Sequence, residues 1–302
     1  MKNLSKSAML IAVSIFPIGY ASSLQAQSTV MFENFLPSVI ETNLRNQTFW
    51  EPLKNNNSSK TTNSFESNLA NFSFKPILAQ RKINQANFVS KTKKIDPAGA
   101  EQLAQMFSSV DIISAIQQAL SPFGLRTDNV VDAYAVYWMS AWHASIGSTD
   151  TPSRIQAIKV KQQALQILIA VPEIAQATNA QKQEFAEALL IQTALIDASM
   201  EQSLEKSDQL RAVANAVRTG AKAVGLDLYT MTLTNDGFVP AKKGSAVDGD
   251  DPVLPSGEAE QQALASNTPS TDKTPNYALI AAAGGAGLGG MFLLGKMMGR
   301  KN

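Results

Sequence analysis

From Asp96 to Val224 the apolar residues return every three to four positions, a spacing that predicts helices and not strands. Leu103, Met106, Phe107, Val110, Ile113, Ile116 and Leu120 mark a first helix. It opens at Asp96-Pro97, an N-cap followed by proline at the first helical position, and closes at Pro122 and Gly124. A second helix runs from about Thr127 to Ile146 and stops at Gly147. Thr151-Pro152 repeats the cap-plus-proline device and opens a third, which ends near Pro172. Thr178-x-x-Gln181 has the spacing of a capping box and starts a long fourth helix through about Leu204. A fifth spans Ser207 to Val224 and stops at Gly225, a residue suited to the position after a helix end. Short loops make neighbouring helices antiparallel. The expected fold over residues 96–240 is therefore an all-α bundle of about five helices. After it, Leu226 to Leu233 alternates and ends at Asn235-Asp236-Gly237, a short extended segment expected to lie on the bundle.

The flanks read differently. Residues 27–45 carry Val30, Met31, Phe32, Phe35, Leu36, Val39, Ile40 and Leu44, enough for one amphipathic helix interrupted at Pro37. Residues 46–95 turn polar, with Asn55-Asn56-Asn57-Ser58-Ser59, Thr61, Thr62, Asn63 and Ser64 around scattered Phe65, Phe72 and Phe74. Short polar side chains compete with the helix for backbone groups. The whole of 27–95 is accordingly expected to be largely disordered. Residues 241–276, rich in Gly, Pro, Ser and Asp, read as a flexible linker.

Both ends carry targeting signals. Residues 1–26 have the form of a secretory signal peptide, with Lys2 and Lys6 ahead of an apolar run from Ala8 to Ile18. Cleavage is expected after Ala26 or after Ser23; the competing reading is an uncleaved signal anchor. Near the other end, Tyr277 to Leu294 contains no charge over 18 residues and is followed by Lys296, Arg300 and Lys301. Residues 277–295 are thus a candidate transmembrane helix, and 296–302 a basic tail that stays in the cytoplasm. Ala281, Gly285 and Gly289 fall on one face of that run, where small residues permit close helix pairing and self-association. A weakly hydrophobic tail that does not span is the alternative.

Composition then narrows the chemistry. The chain has no cysteine, so disulfides, thiolate metal sites and cysteine nucleophiles are excluded. His143 is the only histidine, which rules out a zinc site with two or three histidines from one chain. The net charge of +1 leaves no basic surplus for nucleic acid. Phosphate-binding glycine motifs and the Gly-x-Ser-x-Gly elbow are missing, and no metal or cofactor is expected.

Two groups of residues merit weighing. Tyr134, Trp138 and Trp142 share one face of the second helix, with Tyr137 and His143 beside them. They form a candidate binding face for a glycan, peptide or lipid headgroup, although helical spacing favours a core-packing face. His143 has the chemistry of a general base, and a satisfied, partly buried histidine is the plainer reading. Glu187, Gln192 and Asp197 interrupt the most apolar stretch of the fourth helix. A carboxylate pair for acid–base hydrolysis is one reading. Offsets of 5 and 10 residues spread these side chains around the helix, which favours structural ion pairs, with Arg154, Arg211 and Arg218 as candidate partners.

Tyr137-Trp138, Ala186-Glu187-Ala188-Leu189, Leu195-Ile196-Asp197-Ala198, Gly225-Leu226-Asp227-Leu228 and Leu233-Thr234-x-x-Gly237-Phe238 resemble a family of uncharacterised exported bacterial proteins over about Val130 to Phe238. That resemblance implies export and carries no known activity. The expected function is a binding or structural module of the cell envelope, its body periplasmic or extracellular, held at a membrane and meeting an envelope protein or the cell wall. A glycan-acting or wall-acting hydrolase or lyase is the alternative.

Overall fold

A computed structural model describes residues 62–94, 96–223 and 226–241. In chain order its helices are α1 (Thr62–Ala70), α2 (Leu78–Lys93), α3 (Pro97–Ser109), α4 (Ile112–Leu120), α5 (Val130–Ser145), α6 (Arg154–Ile169), α7 (Pro172–Gln176), α8 (Asn179–Ser203) and α9 (Ser207–Ala223). A hairpin of β1 (Met231–Thr234) and β2 (Gly237–Pro240) closes the described chain. The body is all-α apart from that hairpin, as the periodicity predicts.

At the centre α5 packs along α8, with α6 and α9 against α5 and α2 against α8. Every residue of α5 except Trp142 and His143 is buried. Such a helix carries little amphipathic signal, because all of its faces meet protein. Its N-cap is Asn129, whose side chain accepts from the backbone N–H of Val131 and Asp132, so the helix begins three residues later than the apolar pattern suggests. The capping box at Thr178 and Gln181 forms as expected. Asp96 likewise caps α3 through the N–H of Gly99. The third predicted helix instead starts with a capping box between Ser153 and Gln156, displacing the expected Thr151 cap. The first predicted helix is two: Val110 is extended and Asp111 caps α4 by accepting from Ser114 N–H.

The polar stretch before Asp96 requires a correction. Residues 62–94, expected to be disordered, form α1 and α2 and contribute Phe72, Phe74 and Phe88 to the core. Their backbone is paired by distant side chains. Asn179 accepts from Lys75 N–H at 2.7 Å and donates to Lys75 C=O at 2.8 Å. Gln183, one turn later, makes the same two bonds with Ile77 at 3.0 Å each. Two amides at helical spacing i, i+4 thus match alternate residues of an extended segment, standing in for a neighbouring strand. Asn129 adds a further tie by donating to Leu69 C=O and Ser73 Oγ. None of these bonds is local in sequence, which is why composition alone misreads the segment.

The segment after the bundle is a short 3-10 turn (Leu228–Thr230) followed by the antiparallel hairpin, with Thr234 paired to Gly237. Among the described residues no helix is long and apolar enough to cross a membrane. The expected signal peptide at 1–26 and the expected spanning run at 277–295, with Ala281, Gly285 and Gly289, lie outside the described residues.

Candidate functional site

The aromatic residues of α5 belong to the core. Tyr134, Tyr137 and Trp138 are buried, and Trp138 is fully enclosed. Phe238 of the hairpin stacks on Trp138 at a centroid distance of 4.2 Å and meets Trp142 edge-on at 5.9 Å. Trp142 donates its indole N–H to the Met231 carbonyl at 3.0 Å, and the Trp138 indole N–H points at Met231 Sδ. Burial holds both tyrosine phenols un-ionised far beyond neutral pH. The candidate binding platform is therefore covered, because an aromatic stripe of this size is most stable under the apolar side of the hairpin.

Gln163 of α6 holds that hairpin in place. Its amide donates to Phe238 C=O at 2.7 Å and accepts from Phe238 N–H at 2.8 Å. Gly237 lies directly against it, with φ of +91° and room for no side chain: a Cβ there would come within 2.5 Å of Gln163 Oε1.

Glu187 and Asp197 point to different neighbours, as their offset along α8 predicts. Glu187 accepts from Arg81 Nε at 3.0 Å, Asn84 Nδ2 at 2.7 Å and Gln183 Nε2 at 2.9 Å, while Arg81 also grips Asp111. Its role is a structural ion pair. The partner is Arg81 of α2 and none of the three arginines expected, which bond elsewhere or lie on the surface: Arg211 holds Asp208, and Arg218 contacts Ala214, Asn215 and the Tyr229 ring. Asp132 of α5, unremarked in the sequence, pairs with Lys161 at 2.8 Å; burial still pushes its carboxyl upward. Gln192 is buried, and its amide nitrogen has no partner.

His143 and Asp197 come together. They line a cleft of about 420 Å³, open mouth included, between α5, the 148–152 loop and α8. Ser140, Ala144, Thr193 and Met200 complete its inner wall, and Ser148, Thr149, Asp150, Thr151 and Pro152 form the loop side. Ser140 Oγ donates a hydrogen bond to Asp197 Oδ1. Burial pushes the Asp197 carboxyl up to about 7 against the opposing effect of that bond. Burial also lowers the His143 imidazole to about 4, with Asp150 acting the other way. Both ring nitrogens of His143 are enclosed and unpartnered.

No family model, curated protein or solved structure matches the chain.

The cleft must therefore be judged on its own groups. At neutral pH its lining comprises an uncharged imidazole, five hydroxyl side chains, the Asp150 carboxylate and the Asp197 carboxyl balanced between its two forms. That set can bind and orient a small polar molecule and can exchange a proton with it. Among the described residues no group of three or more His, Asp or Glu is placed to hold a metal. Ser140 and Thr193 carry no mark of their own in the sequence, although each stands one helical turn before a candidate residue: Ser140 before His143, Thr193 before Asp197.

Proposed function

We propose that this chain is an exported helical binding module of the cell envelope, and that its ligand enters the cleft formed by α5, the 148–152 loop and α8. The observation that carries this reading is the unspent hydrogen-bonding capacity of the cleft. His143 has two ring nitrogens without partners, beside a carboxyl bonded to Ser140 alone. Buried polar groups are ordinarily satisfied, so an imidazole enclosed without partners in the wall of a cleft, beside a carboxyl with a single hydrogen bond, marks the place where a ligand's polar groups would complete the set. The scaffold is rigid where it matters, since both cleft helices lie at the centre of the core.

Export rests on the lysine-headed apolar run at residues 1–26, and the resemblance to exported bacterial proteins points the same way. A membrane tether rests on the uncharged run at 277–295 and the cations after it. The buried tryptophan face lends no support to a glycan-acting hydrolase or lyase.

A photocrosslinking amino acid at Thr149, on the cleft loop of the full chain in living cells, tests the binding reading. One discrete envelope molecule should be captured there and not from Glu101, an exposed position on α3. Equal yields of the same species at both positions would defeat it.

A further inference from the structure

We infer that the cleft takes a small organic cation, an alkylammonium whose charged head sits against Asp197. This rests on the reading of the cleft as a binding site and adds the ligand's chemical class.

The carboxylates that the two central helices take into the core differ in what faces them. Glu187 faces Arg81, and Asp132 faces Lys161. Asp197 has Ser140 as its hydrogen-bond partner and no lysine or arginine beside it. A carboxylate taken out of water is costly unless a cation or several donors compensate. At Glu187 and Asp132 the chain supplies that cation; at Asp197 it supplies a cleft.

The other walls fit the same ligand. Asp150, exposed on the loop, puts a second negative charge at the cleft, and no basic side chain lines it. His143, neutral around pH 7, adds no positive charge to the wall, and Ser140 Oγ and Thr193 Oγ1 are acceptors there. Met200, Ala144 and Pro152 supply apolar surface for a short alkyl chain. An anion would meet two carboxylates and no cation. A neutral alcohol would fill the hydrogen bonds and leave the Asp197 charge uncompensated. The groups facing Asp197 that titrate or carry charge are His143 on α5 and Asp150 on the loop. Proton and ligand compete for the same carboxylate, so binding should strengthen as pH rises through about 7 and then level off.

Because His143 is the only histidine, its imidazole resonances report on the cleft without assignment. The full chain, labelled at histidine, is titrated with ethylammonium, ethanol and acetate at constant ionic strength. Ethylammonium should shift the His143 signals saturably, ethanol and acetate should not, and Asp197→Asn should weaken ethylammonium binding by about tenfold or more. The Asp150→Asn variant should weaken it less, since Asp150 is exposed and screened. Tighter binding of ethanol or acetate than of ethylammonium would overturn the cation assignment and leave the cleft standing as a binding site. Silence of His143 toward all three would also overturn the assignment, and the binding reading would then stand or fall on crosslinking at Thr149.

Discussion

At the scale of single residues, His143 and Asp197 place opposite demands on pH. Folding holds His143 neutral down to about pH 4, so between about 4 and 6.5 the unfolded chain binds more protons at this site and stability rises with pH. Folding holds Asp197 protonated up to about 7, so between 3.8 and about 7 the folded chain binds more protons and stability falls as pH rises. The two slopes oppose each other in their shared window. Denaturant unfolding across that window should show His143→Gln losing stability with rising pH relative to the native sequence. Asp197→Asn should gain it, by about 1–3 kcal/mol at pH 8. Parallel curves for all three proteins would mean that neither group is perturbed. Gly237 illustrates a purely steric constraint. Alanine there meets both the positive φ and Gln163, and should cost about 1–3 kcal/mol in thermal or denaturant unfolding. Adding Gln163→Ala should recover the part due to the clash and leave the part due to φ, a split that a double-mutant cycle reads directly.

At the scale of elements, the docking of α2 on α8 turns on Arg81. Glu187 is almost wholly enclosed, with a side-chain exposure of 2%. Removing the guanidinium leaves a buried carboxylate with only Asn84 and Gln183 to hold it. Arg81→Ala should therefore destabilise by about 3–5 kcal/mol, more than an exposed ion pair would. Adding Glu187→Gln should restore much of the loss, because the charge that needed a partner is gone. A loss confined to a few tenths of a kcal/mol in chemical denaturation would show that α2 does not depend on this pair. Periodicity and caps made α5, α6, α8 and α9 legible as elements and α3 with α4 legible as one helix, with Asp96, Thr178 and Gln181 acting as the sequence suggested, while the short α7 carried no such signal. Val110 was not legible as a break, since an apolar residue fits the helical pattern whether or not its backbone is helical.

At the scale of the whole molecule, the folded body starts before the apolar pattern does. Phe72, Phe74 and Phe88 lie in the same core as α5 and α8. Losing a buried phenylalanine costs about 3–5 kcal/mol, and a domain of ordinary stability has about 5–15 to lose. A chain begun at Asp96 should consequently fail to fold cooperatively, whereas one begun at residue 62 should melt as a single unit. Circular dichroism melts of the two chains decide it, and a cooperative transition for the shorter one would place α1 and α2 outside the domain.

Some of this follows from the sequence by itself. The helical class, the core role of the Trp138 face and the divergence of Glu187 from Asp197 all rest on spacing along one helix, which a linear pattern encodes. What pairs with what was decided only in three dimensions. Asn179 and Gln183 hold a strand-like segment more than a hundred residues away, Arg81 takes the place expected of other arginines, and the hairpin roofs the tryptophans. Each depends on a hydrogen bond or contact between distant segments, and periodicity says which face of a helix is apolar without saying what will cover it. The cleft is the sharpest case. Ser140, His143, Thr193 and Asp197 are regularly spaced on two helices, yet only the packing of α5 against α8 turns those two short rows into one site.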